Sequence, residues 1–328
     1  MARRRRHPLF LPALVLVLLA AGAVGIFGWG WYGPGPLARD TSFVVADGSS
    51  LYGTAERLEQ AGAISSAKSF RLRAKFFAAD VPIKAGEFML PAGASPRTIL
   101  TILQGGDVIR RMVTVPEGMP SIMVWERLKA EKLLTGSIPV PPEGSVLPDS
   151  YDFARGESRA SVLQRMQAGM GKVLDAAWAK RSPNTVVKSP EEALILASIV
   201  EKETGKPAER RLVAGLYSNR LKQGMPLQAD PTIIYPITRG KPLGRRIRQS
   251  EIAAVNDYNT YTMTGLPKHP ITNPGKASIE AVLDPAPTNA LFMVADGTGG
   301  HVFAATIQEH NANVARWFAI RRQRGEMK

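Results

Sequence analysis

The hydrophobic pattern begins with a long apolar segment, and shorter mixed segments follow it. Residues 8–32 contain no charged side chain and follow four consecutive arginines and His7. As a helix, residues 9–32 would extend about 36 Å, more than the roughly 30 Å hydrocarbon core of a bilayer. We therefore predict a basic tail over residues 1–7 and a transmembrane helix over residues 8–32. The alternative is a signal peptide cleaved after the small residues 20–23.

Shorter alternating segments follow and predict a small α/β module. A Gly/Pro-rich linker over residues 33–40 precedes a predicted order of strand, helix, helix, strand, helix over residues 41–107. This order, with the phrases around Phe43 and Gly48, resembles a LysM-like glycan-binding module; the alternative is an α/β linker domain without a ligand. A further strand and helix predict a connecting α/β subdomain over residues 108–148.

The remaining residues, 149–328, predict one larger mixed domain. A helix with an apolar face is predicted over residues 160–178, and another begins at the capping residue Ser189. The glycine-rich turn 296–300 lies between two apolar runs and lacks the Lys-Ser/Thr ending of a P-loop, so it predicts a hairpin. The predicted fold class is α+β: an N-terminal transmembrane helix, a small LysM-like α/β module and a larger mixed α+β catalytic domain.

Composition and charge then narrow the chemistry. The chain has no cysteine, which excludes disulfides and thiolate sites, and its four histidines have no metal-ligand spacing. We expect no metal and no other cofactor. The net charge of +14 favours an anionic partner. By the positive-inside rule the arginine tail stays in the cytoplasm and the rest is exported, where acidic wall polymers are abundant and nucleic acid is not an expected partner.

The helix that begins at Ser189 carries the main catalytic candidate. Residues 193–200 are apolar nearly all round, which predicts a buried helix that ends at Glu201. A carboxyl in such a dry position keeps its proton near neutral pH, as a general acid requires. Ala197 and Ser198, one turn earlier, are small and are expected to leave room for a ligand. The structural alternative is a helix-terminal glutamate paired with Lys202, Lys206 or Arg210.

A second carboxyl, if the reaction needs one, must come from outside this helix. Glu201 and Glu203 are two residues apart and point about 200° from each other, so they are not a catalytic dyad. Asp230 is the best candidate, with Gln228 as its hydrogen-bonding partner. Its structural alternative is an Asp-Pro turn residue. Arg220 is a candidate partner for Asp230 or for a carboxylate of the substrate.

Several phrases in a fixed order carry a resemblance to a known family. Together they resemble the YceG-like family of endolytic murein transglycosylases, also called MltG. The chain departs from the family pattern at Asn256-Asp257 and at Lys268-His269. The matching phrases are LASIVEKET at 196–204, SNRL at 218–221, LQADPT at 227–232, YNTY at 258–261, GLP at 265–267, and ADG followed by GH at 295–301.

The resemblance implies both a location and a reaction. It implies an anchor in the inner (cytoplasmic) membrane, a periplasmic catalytic domain and a catalytic role for the first glutamate of IVEKET, which is Glu201 here. The implied substrate is the glycan strand of peptidoglycan, cut internally between N-acetylmuramic acid and N-acetylglucosamine with a 1,6-anhydro end. The cuts are expected to limit the length of nascent strands, and glycan-polymerising peptidoglycan synthases are the implied partners.

Polar and aromatic residues in the matching phrases are the predicted substrate contacts, because they suit sugar hydroxyls, N-acetyl groups and ring faces. Each has a structural alternative as a packing or cross-linking residue. A water-using muramidase and a non-catalytic wall-binding or assembly protein remain the competing functions. The predicted contacts are Gln228, Asp230, Asn219, Tyr258, Asn259 and Tyr261.

Overall fold

The computed structural model describes residues 10–77 and 81–326, so the predicted basic tail over residues 1–7 lies outside the described residues. The chain divides into two compact units, which are described separately below. The first consists of Met1–Arg111 with Ala154–Gly156, and the second of Met112–Phe153 with Glu157–Lys328.

The first unit begins with the predicted apolar helix. Helix α1 spans Phe10–Tyr32 and contains no charged residue. It is apolar on all sides, as expected for a helix that is surrounded by lipid. Its segment Ala13–Tyr32 is long and apolar enough to cross a bilayer. The predicted helix is therefore confirmed, and a single-pass anchor is consistent with it.

A small two-layer module completes the first unit. Strands β1 and β2 pair antiparallel, with Thr41 opposite Leu90 and Val45 opposite Gly86. Their inward side chains, such as Phe43 and Phe88, pack with the buried faces of three helices in one hydrophobic core. The predicted order of elements is confirmed, whereas the likeness to LysM modules stays a prediction. The elements are β1 (Thr41–Val45), α2 (Leu51–Gln60), α3 (Ala67–Phe77), β2 (Gly86–Leu90) and α4 (Pro96–Gly105); β3 (Arg110–Thr114) follows.

The second unit is mainly helical, with one β-hairpin near its end. The mixture of helices and short antiparallel strands agrees with the predicted α+β class. Its elements are α5 (Ser121–Ala130), β4 (Ser150–Ala154), α6 (Arg159–Ala179), α7 (Pro190–Glu203), a 3-10 turn (Pro207–Glu209), α8 (Arg210–Lys222), α9 (Asp230–Thr238), α10 (Gln249–Ile252), α11 (Lys276–Leu283), β5 (Phe292–Ala295), β6 (His301–Ala304) and α12 (Ile307–Gln323).

The second unit contains two hydrophobic cores. One gathers residues between Val113 and Phe153 with the first half of α6, which gives the predicted connecting segment a core of its own. The other is centred on α7, whose Leu196, Ile199 and Val200 are fully buried. The prediction that this helix is buried is confirmed. Burial on most of its faces holds α7 firmly, so the side chains at its end are precisely placed relative to α8 and α11.

The glycine-rich turn closes a hairpin, as predicted. Strands β5 and β6 pair antiparallel, with Ala295 opposite His301. Asp296 Oδ1 accepts hydrogen bonds from the backbone N–H groups of Thr298 and Gly300, and these bonds hold the pKa of Asp296 well below its usual value. The turn therefore uses its backbone N–H groups internally, which is not the arrangement of a phosphate loop.

Candidate active site

Helix α7 ends with two glutamates that face different surroundings. The helix starts at a proline, and the Ser189 side chain caps it by accepting the N–H of Glu192 at 3.2 Å. Its last turn carries Glu201 and Glu203. Because residues two apart on a helix point in nearly opposite directions, the two carboxyl groups meet different parts of the second unit.

Glu201 is bound to the start of helix α11. Its Oε2 accepts the backbone N–H of Gly275 at 2.9 Å and the hydroxyl of Ser278 at 2.7 Å. Gly275 is the N-cap residue of α11 and has no side chain that could cap it, so Glu201 supplies the capping anion. Arg210 Nη2 lies 3.7 Å from Oε1, and the Glu201 side chain is only 5% exposed.

One of the two small residues that precede Glu201 is hydrogen-bonded within the fold. Ser198, one turn earlier, accepts the backbone N–H of Ile271 through its hydroxyl at 3.0 Å and donates to the carbonyl of Ile195. The contacts of Glu201 with α11 and Arg210 thus favour the structural alternative for this residue. Its catalytic role stays a prediction that the surrounding geometry does not favour.

Glu203 opens instead onto a cavity of about 250 Å³ in the second unit. Its Oε1 is enclosed and has no hydrogen-bond partner among the described residues. Burial, reinforced by the negative charge of Asp230, raises the pKa of Glu203 to about 7, although a hydrogen bond from Tyr217 and the charge of Arg220 oppose the increase. At neutral pH this carboxyl is therefore present in both protonation states.

Three predicted substrate contacts line the same cavity as Glu203. They are Gln228, Asp230 and Tyr261. Asp230 is the first residue of α9, and its Oδ1 accepts the Tyr261 hydroxyl at 2.6 Å. Gln228 has a left-handed backbone conformation, with φ of 54°. This backbone conformation is unfavourable for a residue other than glycine, so the surrounding contacts must hold Gln228 in it.

Arg220 shapes the wall of this cavity. Its guanidinium donates to the carbonyl oxygens of Leu291 at 2.7 Å and Leu227 at 2.9 Å, and to Gln228 Oε1 at 3.1 Å. No ion pair joins it to Asp230 in the part of the chain that the structure describes, which corrects one of the two pairings expected from the sequence. Arg220 therefore ties the segment before α9 to the strand β5 side of the cavity.

Two other predicted contacts serve as cross-links. Asn219 Nδ2 donates to the carbonyl oxygens of Thr288 at 2.8 Å and Ala290 at 3.0 Å. Asn259 is fully buried, and its Nδ2 donates to three carbonyl groups within residues 251–254. Since these amide groups are committed to the backbone, the structure favours the cross-linking alternative for both residues over direct sugar binding.

Tyr258 lies in a separate aromatic contact. Its ring centroid is 4.9 Å from that of Tyr235. Burial raises the pKa of Glu143 to about 6. Burial also raises the pKa of Tyr235 and of Tyr258, and the negative charge of Glu143 adds to both increases. Tyr258 is thus a packing residue of this cluster, and it does not line the cavity that Glu203 faces.

The sequence analysis missed Glu203, Tyr217 and His301 as site residues. Tyr217 is buried on α8, one turn before Arg220, and His301 begins β6 and lines the cavity. Glu209 Oε2 lies 2.9 Å from His301 Nδ1 and so fixes the ring. The position of Glu203 at the end of a buried helix was visible in the sequence. Which side of α7 borders a cavity depends on tertiary packing, so the sequence could not show that Glu203 faces one.

The departures from the family pattern form a local turn and a surface ion pair. Asn256 Oδ1 accepts the backbone N–H groups of Tyr258 and Asn259. Lys268 Nζ lies 3.1 Å from Asp257 Oδ2, so a residue of one departure pairs with a residue of the other. Both departures therefore lie at exposed positions.

The chemistry available in the cavity is proton transfer beside a second carboxylate. Glu203 supplies a proton near neutral pH, while Asp230, Tyr261 and Gln228 present polar atoms to a bound molecule. Among residues 10–77 and 81–326, no group of three or more His, Asp or Glu side chains is placed to hold a metal ion.

Related proteins from two bacteria carry the same name. A curated endolytic murein transglycosylase of Streptococcus pneumoniae is 30% identical over 356 residues, which cover 92% of this chain and 63% of that protein. One of Bacillus subtilis is 27% identical over 326 residues, covering 88% of this chain and 89% of its own length. The chain thus spans less than two thirds of the length of the pneumococcal relative.

A solved structure supports the fold. The 2.6 Å crystal structure of a YceG-like protein from Listeria monocytogenes matches with a TM-score of 0.53 at 24% identity, over 84% of this chain and 98% of that chain. The model of the YceG-like family matches residues 43–316, which include both the small module and the cavity around Glu203. The chain therefore belongs to the YceG-like family.

Proposed function

We propose that this chain is a lytic transglycosylase that cleaves peptidoglycan glycan strands, with Glu203 as its acid and base. One observation carries the proposal: a carboxyl with a pKa of about 7 is enclosed in a cavity beside Gln228, Asp230 and Tyr261. A pKa near the working pH lets the same group donate a proton and then accept one. The names of the related endolytic murein transglycosylases support the substrate class.

The reaction needs one proton to move out and one to move back. Protonated Glu203 donates its proton to the glycosidic oxygen between N-acetylmuramic acid and N-acetylglucosamine, and the bond to the muramyl C1 breaks. The resulting carboxylate accepts the proton of the muramyl 6-hydroxyl while that oxygen bonds to C1 and closes a 1,6-anhydro ring. Glu203 ends protonated, and no water is consumed.

The two glutamates of α7 differ in the property that this reaction requires. The Glu201 carboxylate accepts hydrogen bonds from Gly275 and Ser278 and lies 3.7 Å from Arg210, so both of its oxygens are already engaged by the fold. The Glu203 carboxyl has an enclosed oxygen without a partner and a negative neighbour, which favour the protonated form. For this reason the acid role is assigned to Glu203, although the sequence had favoured Glu201.

A water-using muramidase is the second candidate, and the position of Asp230 favours it. Asp230 lines the same cavity as Glu203 and is near enough for its charge to raise the pKa of that carboxyl. A hydrolase would use Glu203 as the acid and Asp230 as the second carboxylate of a glycosidase pair. The lyase is preferred because the related curated proteins are named endolytic murein transglycosylases.

The location follows from the first helix. Helix α1 is proposed as a single-pass anchor in the cytoplasmic membrane, with the arginine tail inside and the small module and the second unit on the periplasmic side. In that position the enzyme would meet newly made strands, cut them internally and limit their length, with peptidoglycan synthases as partners. The small module would hold glycan, as LysM-like modules do.

The test compares Glu203→Gln with Glu201→Gln on purified sacculi, with products analysed by mass spectrometry. Removing the proton donor should lower the turnover by about 100-fold to 10,000-fold. Glu201→Gln keeps an oxygen that can accept the N–H of Gly275, so its loss of turnover should stay within about tenfold. Thermal unfolding of both variants checks that they are folded.

The products distinguish the candidates. Muropeptides with 1,6-anhydro ends are expected from the lyase, and reducing ends would identify the muramidase. Full activity of Glu203→Gln, combined with an inactive but folded Glu201→Gln, would return the acid role to Glu201. Intact sacculi with the unmodified chain would leave only a wall-binding function.

A further inference from the structure

The last turns of α1 pack onto helix α3 of the small module. The ring centroid of Phe27 is 5.9 Å from that of Phe76, and the centroid of Trp31 is 5.6 Å from that of Phe70. Arg73 Nε donates to the carbonyl of Phe27 at 3.0 Å, and its guanidinium lies 5.3 Å from the centre of the Phe27 ring. The end of α1 and helix α3 are therefore joined by side-chain contacts within one unit.

Helix α3 leaves an apolar and basic face uncovered. Leu72 and Phe76, one turn apart, are 49% and 71% exposed. Lys68 and Lys75 are exposed at positions four residues before and three residues after Leu72, so they share its face. These four residues, Lys68, Leu72, Lys75 and Phe76, are called the α3 stripe. Apolar side chains flanked by lysines are typical of helices that lie at a membrane surface.

The packing on α1 sets the depth of the stripe. Helix α1 has 23 residues and would extend about 34 Å, slightly more than the hydrocarbon core, with Trp31 and Tyr32 at its far end. Phe27 precedes Tyr32 by five residues and so lies about 7.5 Å deeper along the helix. Phe76 contacts Phe27, and an α1 that spans the bilayer therefore brings Phe76 to the level of the interface.

A cavity beside the same contact has polar groups suited to lipid headgroups. It has a volume of about 320 Å³, and its lining includes Trp29, Ser65, Ser66, Ser69 and Arg73. Hydroxyl groups and a guanidinium are the usual partners of a phosphate group. This lining and the lysines of the stripe match the phosphates and negative charge of a phospholipid surface.

We propose that the α3 stripe docks onto the phospholipid interface, so that the small module lies on the membrane surface beside its own anchor. The inference rests on the proposed role of α1 as an anchor, and it goes beyond anchoring because it assigns a second membrane contact to a folded module. Leu72 and Phe76 enter the region below the headgroups, while Lys68 and Lys75 pair with anionic headgroups. A membrane-bound module would hold any glycan that it binds close to the bilayer.

The chain contains no cysteine, so single cysteines can be placed and labelled in the full-length protein. Phe76→Cys and Leu72→Cys test the stripe, Leu16→Cys tests α1, and Met89→Cys on strand β2 is the control because Met89 is 48% exposed. Each variant carries an environment-sensitive fluorophore in vesicles of phosphatidylethanolamine and phosphatidylglycerol that contain nitroxide-labelled lipid.

We expect blue-shifted emission and quenching by the nitroxide lipid at positions 76, 72 and 16, and neither effect at position 89. Quenching at position 16 with unquenched, water-like emission at 72 and 76 would overturn the proposal while the anchor stands, and would point to a protein as the occupant of the stripe. An unquenched label at position 16 would overturn the anchor and the docking together. Neither result would change the catalytic assignment, which product analysis tests separately.

Discussion

Glu201 and Glu203 lie two residues apart at the end of α7, yet their carboxyl groups have different partners. Glu201 caps helix α11 and lies near Arg210, so its charge is compensated. Glu203 faces a cavity, its Oε1 has no hydrogen-bond partner among the described residues, and the negative charge of Asp230 lies nearby. Burial alone therefore does not identify a catalytic acid. The two carboxyl groups differ in their surroundings: Glu201 is held by donors from α11, whereas burial and the charge of Asp230 raise the pKa of Glu203 despite its hydrogen bond from Tyr217.

Removing each carboxyl should separate stability from activity. Glu201→Ala leaves the start of α11 uncapped and Arg210 without its buried partner, so the free energy of unfolding should fall by about 3 kcal/mol. Glu203→Gln should leave stability unchanged or higher at neutral pH. Urea unfolding of both variants measures the difference. Equal losses in the two variants would mean that Glu203 is also a structural carboxylate.

The pH dependence of stability gives a second way to distinguish Glu203 from Glu201. The pKa of Glu203 is raised from 4.5 to about 7 in the folded chain. The folded state therefore binds more protons than the unfolded state in this interval, and stability falls as the pH rises from about 4.5 to 7, by about 3 kcal/mol for this group. In Glu203→Gln this part of the pH dependence should be absent, as unfolding measured across that range would show. An unchanged pH profile would refute the raised pKa.

The neighbours of Glu203 should shift the pH profile of the reaction in opposite directions. Asp230 raises the pKa of Glu203 and Tyr217 lowers it. On the alkaline side, where Glu203 loses its proton, Asp230→Asn should move the decline of kcat/KM to lower pH and Tyr217→Phe to higher pH, each by about 1 unit. Initial rates on soluble glycan strands measure both profiles. Shifts of the same sign in both variants would contradict the assignment.

Two tyrosines from the same phrase provide the smallest test. Tyr261 donates its hydroxyl to Asp230 in the cavity, whereas Tyr258 packs its ring on Tyr235. Tyr261→Phe should lower kcat/KM by about tenfold, the value of one hydrogen bond to a charged group. Tyr258→Phe keeps the ring contact and should change kcat/KM by less than about twofold. If the order of the two effects is reversed, the substrate lies against Tyr258.

Much of the architecture was predictable because it depends on local patterns. The apolar run that became α1, the cap at Ser189 and the hairpin at Asp296 each follow from side-chain periodicity or turn chemistry over a few residues. The order of strands and helices in the small module follows in the same way. Gln228, Asp230 and Tyr261 were also among the predicted contacts, and all three line one cavity.

Asn219 and Asn259 show why the other contacts could not be read from the sequence. Both have amide side chains of the kind that bind sugars. In the folded chain, however, these amides donate to backbone carbonyl groups, of residues 288 and 290 for Asn219 and of residues 251–254 for Asn259. An amide group gives no sign in the sequence of which acceptor it will meet. That choice is made when helices pack and bring particular carbonyl groups within hydrogen-bonding distance.

Local patterns in the sequence establish that a buried helix ends in glutamates, that an apolar helix precedes the small module, and that the chain carries the phrases of its family. Helix packing then establishes which glutamate caps α11 and which keeps an oxygen without a hydrogen-bond partner among the described residues. The physical reason is that the pKa of a buried carboxyl depends on donors and charges a few ångströms away. Here those groups come from α8, which is the next α-helix after α7, and from α9 and α11, which lie further along the chain, and only folding brings them to the two carboxyl groups.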